Sequence, residues 1–213
     1  MKMTGWMGLA LLGLCAPMAA DAEHGGSDWY GGVRGGLVLS GIDSDSMTRE
    51  MQRRGHNVAV EVDDDAVGGH LYVGRQFTDK ASVEIGFMEL GSYDARVTGT
   101  TTQPAQLASD ISDAQPVSGE AISLGLRARI PVSERVGLDT RLGGFYWSTD
   151  SDIRTAAGTQ QIEDDGIGTL FGMGLDARLG ARLHLGLGAE LWRPDSEGAS
   201  RVVYGQIEYH FGH

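Results

Sequence analysis

The sequence predicts an all-β protein, an eight-stranded antiparallel up-and-down transmembrane β-barrel. Three observations lead to this prediction. Eight stretches place an apolar residue at every second position, which is the period of a strand with two different faces. The connections between them alternate between long and short, and the second face of the strands combines charged residues with many glycines.

The eight predicted strands are about 10 to 14 residues long, which suits a tilted strand that crosses a bilayer. An amphipathic helix would need apolar residues three and four positions apart, and these stretches lack that spacing. In order, they are residues 28–40, 66–77, 81–91, 119–130, 136–147, 166–180, 182–193 and 201–211.

The connections predict which end of the barrel faces outward. Tight links lie at residues 78–80, 131–135 and 180–181, whereas the long connections are 41–65, 92–118 and 148–165, followed by a shorter one at 194–200. Outer-membrane barrels have short periplasmic turns and longer external loops. With an even number of strands and both termini periplasmic, the longer connections become the external loops, and we expect the second, which has low sequence complexity, to be mobile.

A soluble lipocalin-like barrel would show the same alternation with its apolar face inward. The residues of the other face must therefore distinguish a soluble barrel from a transmembrane one. Eight strands leave an interior that side chains alone can fill, so glycines there would make room for long charged groups. Buried charges are tolerable when they are paired. We therefore predict an interior charge network of Arg34, Glu84, Arg127, Arg129, Asp139, Arg141, Asp176, Arg178, Glu190 and Glu208.

Aromatic residues near the ends of the strands fit the girdles at the two membrane interfaces. Their predicted interfacial positions are Trp29, Phe77, Tyr209 and Phe211 at the periplasmic end and Tyr93, Tyr146 and Trp147 at the external end. One acidic residue conflicts with this pattern, because Glu89 has lipid-facing parity in the third strand. A bulge near Gly91, or an early end of the membrane zone, would resolve the conflict.

The first residues read as a secretory signal, which predicts export. Lys2 provides a positive start, residues 7–16 are apolar but too short to span a bilayer, and Ala20 and Ala22 fit the small-x-small cleavage pattern. We expect residues 1–22 to be a signal peptide and residues 23–213 to be the barrel domain. The only cysteine, Cys15, lies within the signal, so the predicted mature chain has no thiol chemistry.

The formal net charge of −12 argues against nucleic acid as a partner, because phosphate binding needs basic patches. The predicted inward parity of His70, His184 and His210 argues against an enzyme that modifies membrane lipids, which would need a nucleophile with its acid and base at the lipid-facing rim. We predict no catalytic residues, no cofactor and no dedicated metal site. Acidic loop segments at residues 43–45, 63–65 and 163–165 leave a calcium site open as a hypothesis.

The end of the chain resembles a known assembly signal. Gly205, Ile207, Tyr209 and Phe211 alternate in the manner of the C-terminal β-signal of outer-membrane barrels, and the glycine stands one residue further from the aromatic pair than is usual. The first and third strands and the trailing Gly212 also resemble small surface proteins of the OmpA transmembrane-domain or OmpX-like type.

This resemblance implies an integral outer-membrane protein. Its expected partners are outer-membrane lipid and lipopolysaccharide, the barrel-assembly machinery and periplasmic chaperones, together with an unidentified partner of the external loops. We expect a non-enzymatic protein that serves envelope structure, adhesion or surface interaction. The rival hypothesis is a small channel for ions or small apolar solutes, similar to OmpW, because a glycine-rich interior could leave a water path.

Overall fold

The computed structural model describes residues 28–39, 44–62, 65–91, 95–101, 103, 106–107, 109–111, 119–155, 158–195 and 199–212. Within these ranges the main elements follow one another along the chain as short and long strands, with a helix after the first strand. They are β1 (Trp29–Leu39), α1 (Ser44–Arg53), β2 (Asn57–Val62), β3 (Asp65–Thr78), β4 (Ala81–Glu89), β5 (Ala95–Thr100), β6 (Glu120–Pro131), β7 (Val136–Thr155), β8 (Gly158–Arg178), β9 (Leu183–Pro194) and β10 (Ser200–His210).

Eight of these strands close into a barrel, so the predicted fold class is confirmed. The order around the barrel is β1-β10-β9-β8-β7-β6-β4-β3, and β1 completes the circle by pairing with both β10 and β3. All neighbouring pairs are antiparallel. Closure leaves no unpaired strand edge, which is what a sheet in lipid requires, since the hydrocarbon offers no hydrogen-bond partners.

The outer surface of the barrel is apolar along the predicted parity. On β10, Val203 and Ile207 are 56% and 53% exposed, whereas the intervening Tyr204 is buried. On β9, Leu187 is 73% exposed, and its neighbours Gly186 and Gly188 are on the inward face of the strand. Such a continuous exposed apolar belt is costly in water and favourable in lipid, so the apolar residues face the membrane. No helix in the described part of the chain has the length and apolar character needed to span a bilayer.

Two of the predicted external loops contain regular structure. The connection at residues 41–65 forms α1 and β2, and the connection at residues 92–118 forms β5, which pairs antiparallel with β2 from Asn57↔Thr100 to Val62↔Ala95. We refer to α1, β2, β5 and the helical residues 106–107 and 109–111 as the external cap. The second connection, which the sequence predicts to be mobile, is paired and packed at these residues.

The third long connection is also more regular than expected. Strands β7 and β8 continue as a paired hairpin from Ser148↔Asp165 to Thr155↔Gly158, where residues 148–165 were predicted to be a loop. The hairpin extends past Glu120, the external end of β6, and strand β5 of the cap contacts β7. Glu89 is the last residue of β4 and lies opposite Glu120, so the membrane-facing part of this strand ends early and the carboxylate sits at the rim.

An arginine placed on the lipid face near the middle of a strand tests the orientation of the barrel. Replacing Leu187 with Arg should destabilise the folded protein by about 2–4 kcal/mol, because a charge at the bilayer midplane lacks hydration. The measurement is reversible urea unfolding in lipid, with Leu187→Ala as the matched control for lost side-chain area. Equal stability of the two variants would contradict a lipid environment at this position.

Candidate functional site: the barrel interior and the external cap

The middle of the barrel interior is organised around Arg127 on β6. Its guanidinium lies 2.6 Å from a carboxylate oxygen of Asp139, 2.5 Å from Glu208 and 3.5 Å from Glu84. These three acids belong to β7, β10 and β4, so one side chain connects strands on opposite sides of the barrel. All four residues are buried, and charge-assisted hydrogen bonds of this kind are the strong ones.

Two further arginines extend this layer. Arg34 pairs with Glu84 at 2.7 Å and donates to the side-chain oxygen of Gln206 at 3.0 Å. Arg141 lies 3.4 Å from Glu190 and donates to the same Gln206 oxygen at 2.6 Å. The shared acceptor and the shared carboxylate join the pairs into one network, which spans the cross-section from β1 to β7.

Tyrosine rings lie against the arginines of this layer. The guanidinium of Arg34 lies 3.7 Å from the ring centre of Tyr72, and that of Arg141 lies 5.4 Å from Tyr204, to whose hydroxyl it also donates a hydrogen bond. Arg127 lies 5.4 Å from the ring centre of Tyr30. A planar guanidinium over an aromatic face is favourable once both are desolvated, so the rings fill space and stabilise charge together.

Glycines on the neighbouring strands create the room that these side chains occupy. A Cβ added at Gly74 would lie 2.3 Å from the Tyr30 ring, and one at Gly188 would lie 2.3 Å from the Tyr204 hydroxyl. A Cβ at Gly86 would lie 2.2 Å from His70. Real Cβ contacts are longer than these distances, so the glycines are required by the packing of the interior.

Above the charge layer, an apolar and aromatic layer occupies the external mouth of the barrel. We call it the mouth layer, and its buried members are Val38, Met88, Leu90, Ala121, Phe145, Trp147, Leu170, Trp192, Val202 and Tyr204. Trp192 donates its indole hydrogen to Glu190 at 2.9 Å and so connects the two layers. The prediction that Trp147 lies at the membrane interface is wrong, because its side chain points inward and is 2% exposed. Tyr93 lies outside the described residues.

Below the charge layer, the periplasmic end opens into a vestibule of about 520 Å³. Arg129 and His184 line it, and both contact Asp176. Arg129 forms an ion pair with Asp176 at 2.6 Å, and His184 Nδ1 lies 2.9 Å from the same carboxylate. Arg178 was predicted to belong to the interior network and does not. It is exposed at the vestibule rim and donates to the backbone oxygen of Glu134 at 3.3 Å, because it is the last residue of β8 and lies beyond the packed section.

The remaining predicted residues divide into two groups. Gly205, Ile207, Tyr209 and Phe211 lie on the outer face of the last strand and the residue that follows it, with the Tyr209 and Phe211 rings 5.7 Å apart in an edge-on arrangement. Ala20 and Ala22, the predicted signal cleavage site, lie outside the described residues. Apart from Arg178, the structure brings each predicted charged interior residue into an ion pair.

Sequence reasoning missed a cluster at the periplasmic end of β9 and β10. His184, Glu208 and His210 bring one nitrogen or oxygen atom each to within 4.8 Å of one another. The two imidazole rings stack with their centres 4.4 Å apart, and His210 contacts Glu208 at 2.9 Å. Inward parity together with the expected pairing of the last two strands could have found this cluster. It is a set of ligands that suits a transition metal.

The predicted acidic loop segments do not form one cluster among the described residues. Asp45 lies in the first turn of α1, Asp65 begins β3, and Asp165 on β8 accepts a hydrogen bond from the Tyr146 hydroxyl at 2.8 Å. Residues 43, 63 and 64 lie outside the described residues. The calcium hypothesis therefore stays untested.

The external cap has a core of its own, separate from the mouth layer. Met47 and Met51, four residues apart on α1, face the strands, and the remaining buried members are Val58, Val60, Leu107 and Ile111. Thr48 connects the helix to β2 by accepting a hydrogen bond from the Val60 amide at 2.9 Å. The first and second external connections thus fold against each other as one unit.

A buried carboxylate, Asp110, joins the two connections by polar contacts. It contacts His56 at 2.8 Å and Arg54 at 3.2 Å, and it accepts a hydrogen bond from Gln106 at 3.1 Å. Although burial acts to raise the pKa of Asp110, the hydrogen bonds from His56, Gln106 and Arg54 outweigh it and hold this pKa below its ordinary value. The ionised carboxylate is therefore part of the folded cap.

The fold agrees with that of known proteins. The sequence model of one protein family, the OmpA-like transmembrane domain, matches residues 24–190 of this chain. The chain belongs to this family. The family and its barrel place the protein in the bacterial outer membrane as an integral protein. No curated protein matches the chain.

Among solved structures, the N-terminal β-barrel domain of OprF from Pseudomonas aeruginosa is similar at a TM-score of 0.51 and 11% identity, covering 86% of this chain and 99% of that one. Neisserial surface protein A is similar at a TM-score of 0.49 and 11% identity, and the match covers 88% of this chain and 100% of that one. The outer-membrane protein OprG from P. aeruginosa is similar at a TM-score of 0.47 and 12% identity, and the match covers 87% of this chain and 98% of that one. The match to OprF supports the barrel fold alone, since so low an identity says nothing of function.

Removing the central arginine should be far more damaging than removing the one at the rim. Arg127→Gln leaves Glu84, Asp139 and Glu208 short of a cation in a buried site, which should cost about 3–5 kcal/mol of unfolding free energy. Arg178→Gln changes the same residue type at an exposed position and should stay within about 0.5 kcal/mol of wild type. Urea unfolding in lipid measures both, and equal losses would show that Arg127 is not the centre of the network.

The cap should open in acid before the barrel unfolds. Because the pKa of Asp110 is lowered in the folded state, its contribution to stability is complete at neutral pH and is lost as pH falls below the ordinary aspartate value of about 3.9. The protection factors of the β2 amides, which correct for the pH dependence of intrinsic exchange, should therefore fall in that range, and Asp110→Asn should lower them already at pH 7. Protection factors that stay constant from pH 7 to 3 in the wild type would remove Asp110 from this role.

Proposed function

We propose that this protein is a non-enzymatic anchor that holds a folded external cap at the cell surface, with a barrel interior that does not conduct. The main support is the contact between side chains from opposite walls. Arg127 of β6 reaches Glu208 of β10 on the opposite wall, and Arg34 of β1 reaches Glu84 of β4, two strands further round the barrel. An interior crossed by such ion pairs is filled by side chains rather than by water.

The mouth layer adds a second barrier on the external side. Trp147, Trp192 and Phe145 are buried there together with aliphatic side chains, and this layer has a different chemistry from the charges below it. A solute passing through would have to cross an apolar zone and a charged zone in succession. This sequence of layers supports an anchor over the rival hypothesis of a small channel.

The external cap supports a role in surface interaction, adhesion or envelope structure. It is held by its own core and by the contacts of Asp110, so it presents a defined surface instead of two independent loops. Exposed residues of both charges cover it, including Arg53 and Glu61. A surface of fixed shape and mixed charge suits recognition by polar contacts.

Contacts with lipopolysaccharide are supported by two arginines on the outer face. Arg193 of β9 and Arg201 of β10 both point outward at the external ends of adjacent strands, and Arg201 lies opposite Leu191 in the register. On its own strand each arginine lies nearer the external end than an outward-facing apolar residue, Leu191 for Arg193 and Val203 for Arg201. We expect lipid phosphates at this end of the apolar belt. Arginine is well suited to phosphate by its planar fork of donors.

The absence of catalysis is part of the proposal. His70 and His184 are buried in the barrel and His56 is buried in the cap, so among the described residues these imidazoles do not reach the lipid-facing rim. A lipid-modifying enzyme would need an acid or base there, in reach of the substrate. The histidines instead take part in polar contacts of the interior and of the cap.

Conductance of the refolded protein in a planar bilayer tests the proposal. After heat-modifiable gel migration has shown a folded barrel, the wild type should give no steady single-channel conductance. A variant in which short glycine-serine links replace residues 44–62 and 95–111 should also remain closed, because the barriers lie within the barrel. Steady conductance of the wild type would support the channel hypothesis, and conductance of the cap-deleted variant alone would make the cap a gate.

A further inference from the structure

We propose that His184, Glu208 and His210 form a binding site for a divalent transition metal of the zinc type at the periplasmic end of the barrel. The three side chains come from two adjacent strands, and their candidate ligand atoms all lie within 4.8 Å of one another. His184 and Glu208 are direct partners in the β9–β10 register, and His210 follows Glu208 on the same face. Two imidazoles and one carboxylate are a ligand set that zinc uses in open sites.

The distances require only small movements to surround an ion. His210 Nε2 and Glu208 Oε1 are 2.9 Å apart, whereas two ligands of a tetrahedral zinc, each at about 2.0 Å, are separated by about 3.3 Å. The two imidazole rings are stacked with their centres 4.4 Å apart, so small rotations about their side-chain bonds would direct one nitrogen of each ring toward a shared ion. A metal would replace the hydrogen bond between His210 and Glu208.

A neighbouring carboxylate orients the buried histidine. His184 Nδ1 lies 2.9 Å from Asp176, which can only accept, and 3.2 Å from Arg129, which can only donate. In the tautomer that a metal at Nε2 would select, the ring proton is on Nδ1 and is donated to Asp176. That tautomer leaves the lone pair of Nε2 available. A carboxylate that accepts from the other nitrogen of a metal-binding histidine fixes its tautomer and increases its basicity.

The site has an entry path and a local charge that permit a cation to arrive. His184 and His210 both line the vestibule of about 520 Å³, which opens at the periplasmic end. The charged residues of its lining are balanced, since three acids accompany three bases: Asp28, Asp79, Glu134, Lys80, Arg129 and Arg178. The charge layer above closes the other side, so an ion enters and leaves through the vestibule alone.

A further coordination position would face the vestibule, which His184 and His210 line, and water or an exogenous ligand could complete the sphere there. Glu208 uses its other oxygen for Tyr72 at 2.9 Å and for Arg127 at 2.5 Å, so the metal would take the oxygen that now faces His210. The central arginine would therefore keep its partner when the metal binds. Because the two carboxylate oxygens of Glu208 have different partners, a metal could bind one of them while the other keeps its hydrogen bonds in the charge layer.

Titration of the refolded mature protein, without a histidine tag, tests the site. Isothermal titration calorimetry with zinc chloride should give one ion per barrel, and His210→Ala should weaken binding by about tenfold or more. His56→Ala removes a histidine from the cap at the opposite end and serves as the matched control, with unchanged affinity expected. Equal affinity of the His210→Ala variant and the wild type would overturn the proposal.

A second measurement needs no variant and so does not depend on folding of a mutant. With labelled histidine in the wild type, zinc should shift the NMR signals of His184 and His210 and leave those of His56 and His70 in place. Cobalt used as a substitute should show the intense visible absorption of a tetrahedral ion. Zinc that shifts none of these signals at millimolar concentration would mean that the cluster is only a hydrogen-bonded histidine pair.

Discussion

The ion pairs of Arg127 are the contacts on which the rest of this barrel depends. The guanidinium sits near the middle of the interior and reaches acids on the two paired neighbours, β4 and β7, and on β10. Its contact with Glu208 of β10 fixes the distance to a wall that shares no backbone hydrogen bonds with β6. Burying one such cation alone would be prohibitive, and burying it among three carboxylates is tolerable only if those acids have further cations. Arg34 and Arg141 supply them, which explains why the charges form a network rather than isolated pairs.

The network in turn dictates where glycine must stand. Long side chains that meet at the centre occupy the volume that the facing strands would otherwise fill, and an eight-stranded barrel cannot widen to accommodate both. Gly74, Gly86 and Gly188 lie opposite the bulkiest inward groups, and any Cβ at these positions would overlap them. Glycine is usually unfavourable in strands because it gives up side-chain packing. Here the packing is provided by the side chain of another strand.

Much of the barrel could be predicted from the sequence, because strand parity is a short-range property. Each apolar residue at every second position identifies a face without knowledge of its neighbours. Six of the eight barrel strands begin and end close to their predicted limits, whereas β7 and β8 extend about eight residues further at the external end. Parity gives the face of a residue and not its depth along the barrel axis. Arg178 therefore has inward parity and still lies at the exposed rim. The sequence predicts Trp147 at the membrane interface because it is an aromatic residue near the end of a strand. Its parity on β7 is inward, and its side chain is buried in the barrel.

The cap could not be predicted in the same way, because its contacts are long-range. Strand β2 pairs with β5 across the whole of β3 and β4, and the core of α1 is completed by Leu107 and Ile111 from the second connection. Each connection alone has too few apolar residues to form a core. Only the closed barrel, which brings the external ends of β1, β3, β4 and β6 together, places the two connections side by side.

The order of the layers along the axis has a consequence for function. The mouth layer separates the cap from the charge layer, with Trp192 as a contact between the mouth and the charges through Glu190. Because the mouth layer closes the barrel beneath the cap, substitutions in the cap leave the ion pairs of the interior with their partners. A barrel built in this way can vary the external structure that it displays while the part that holds it in the membrane stays constant. The periplasmic vestibule is separated from the cap by both layers, so chemistry at His184 and His210 is independent of what the cap binds.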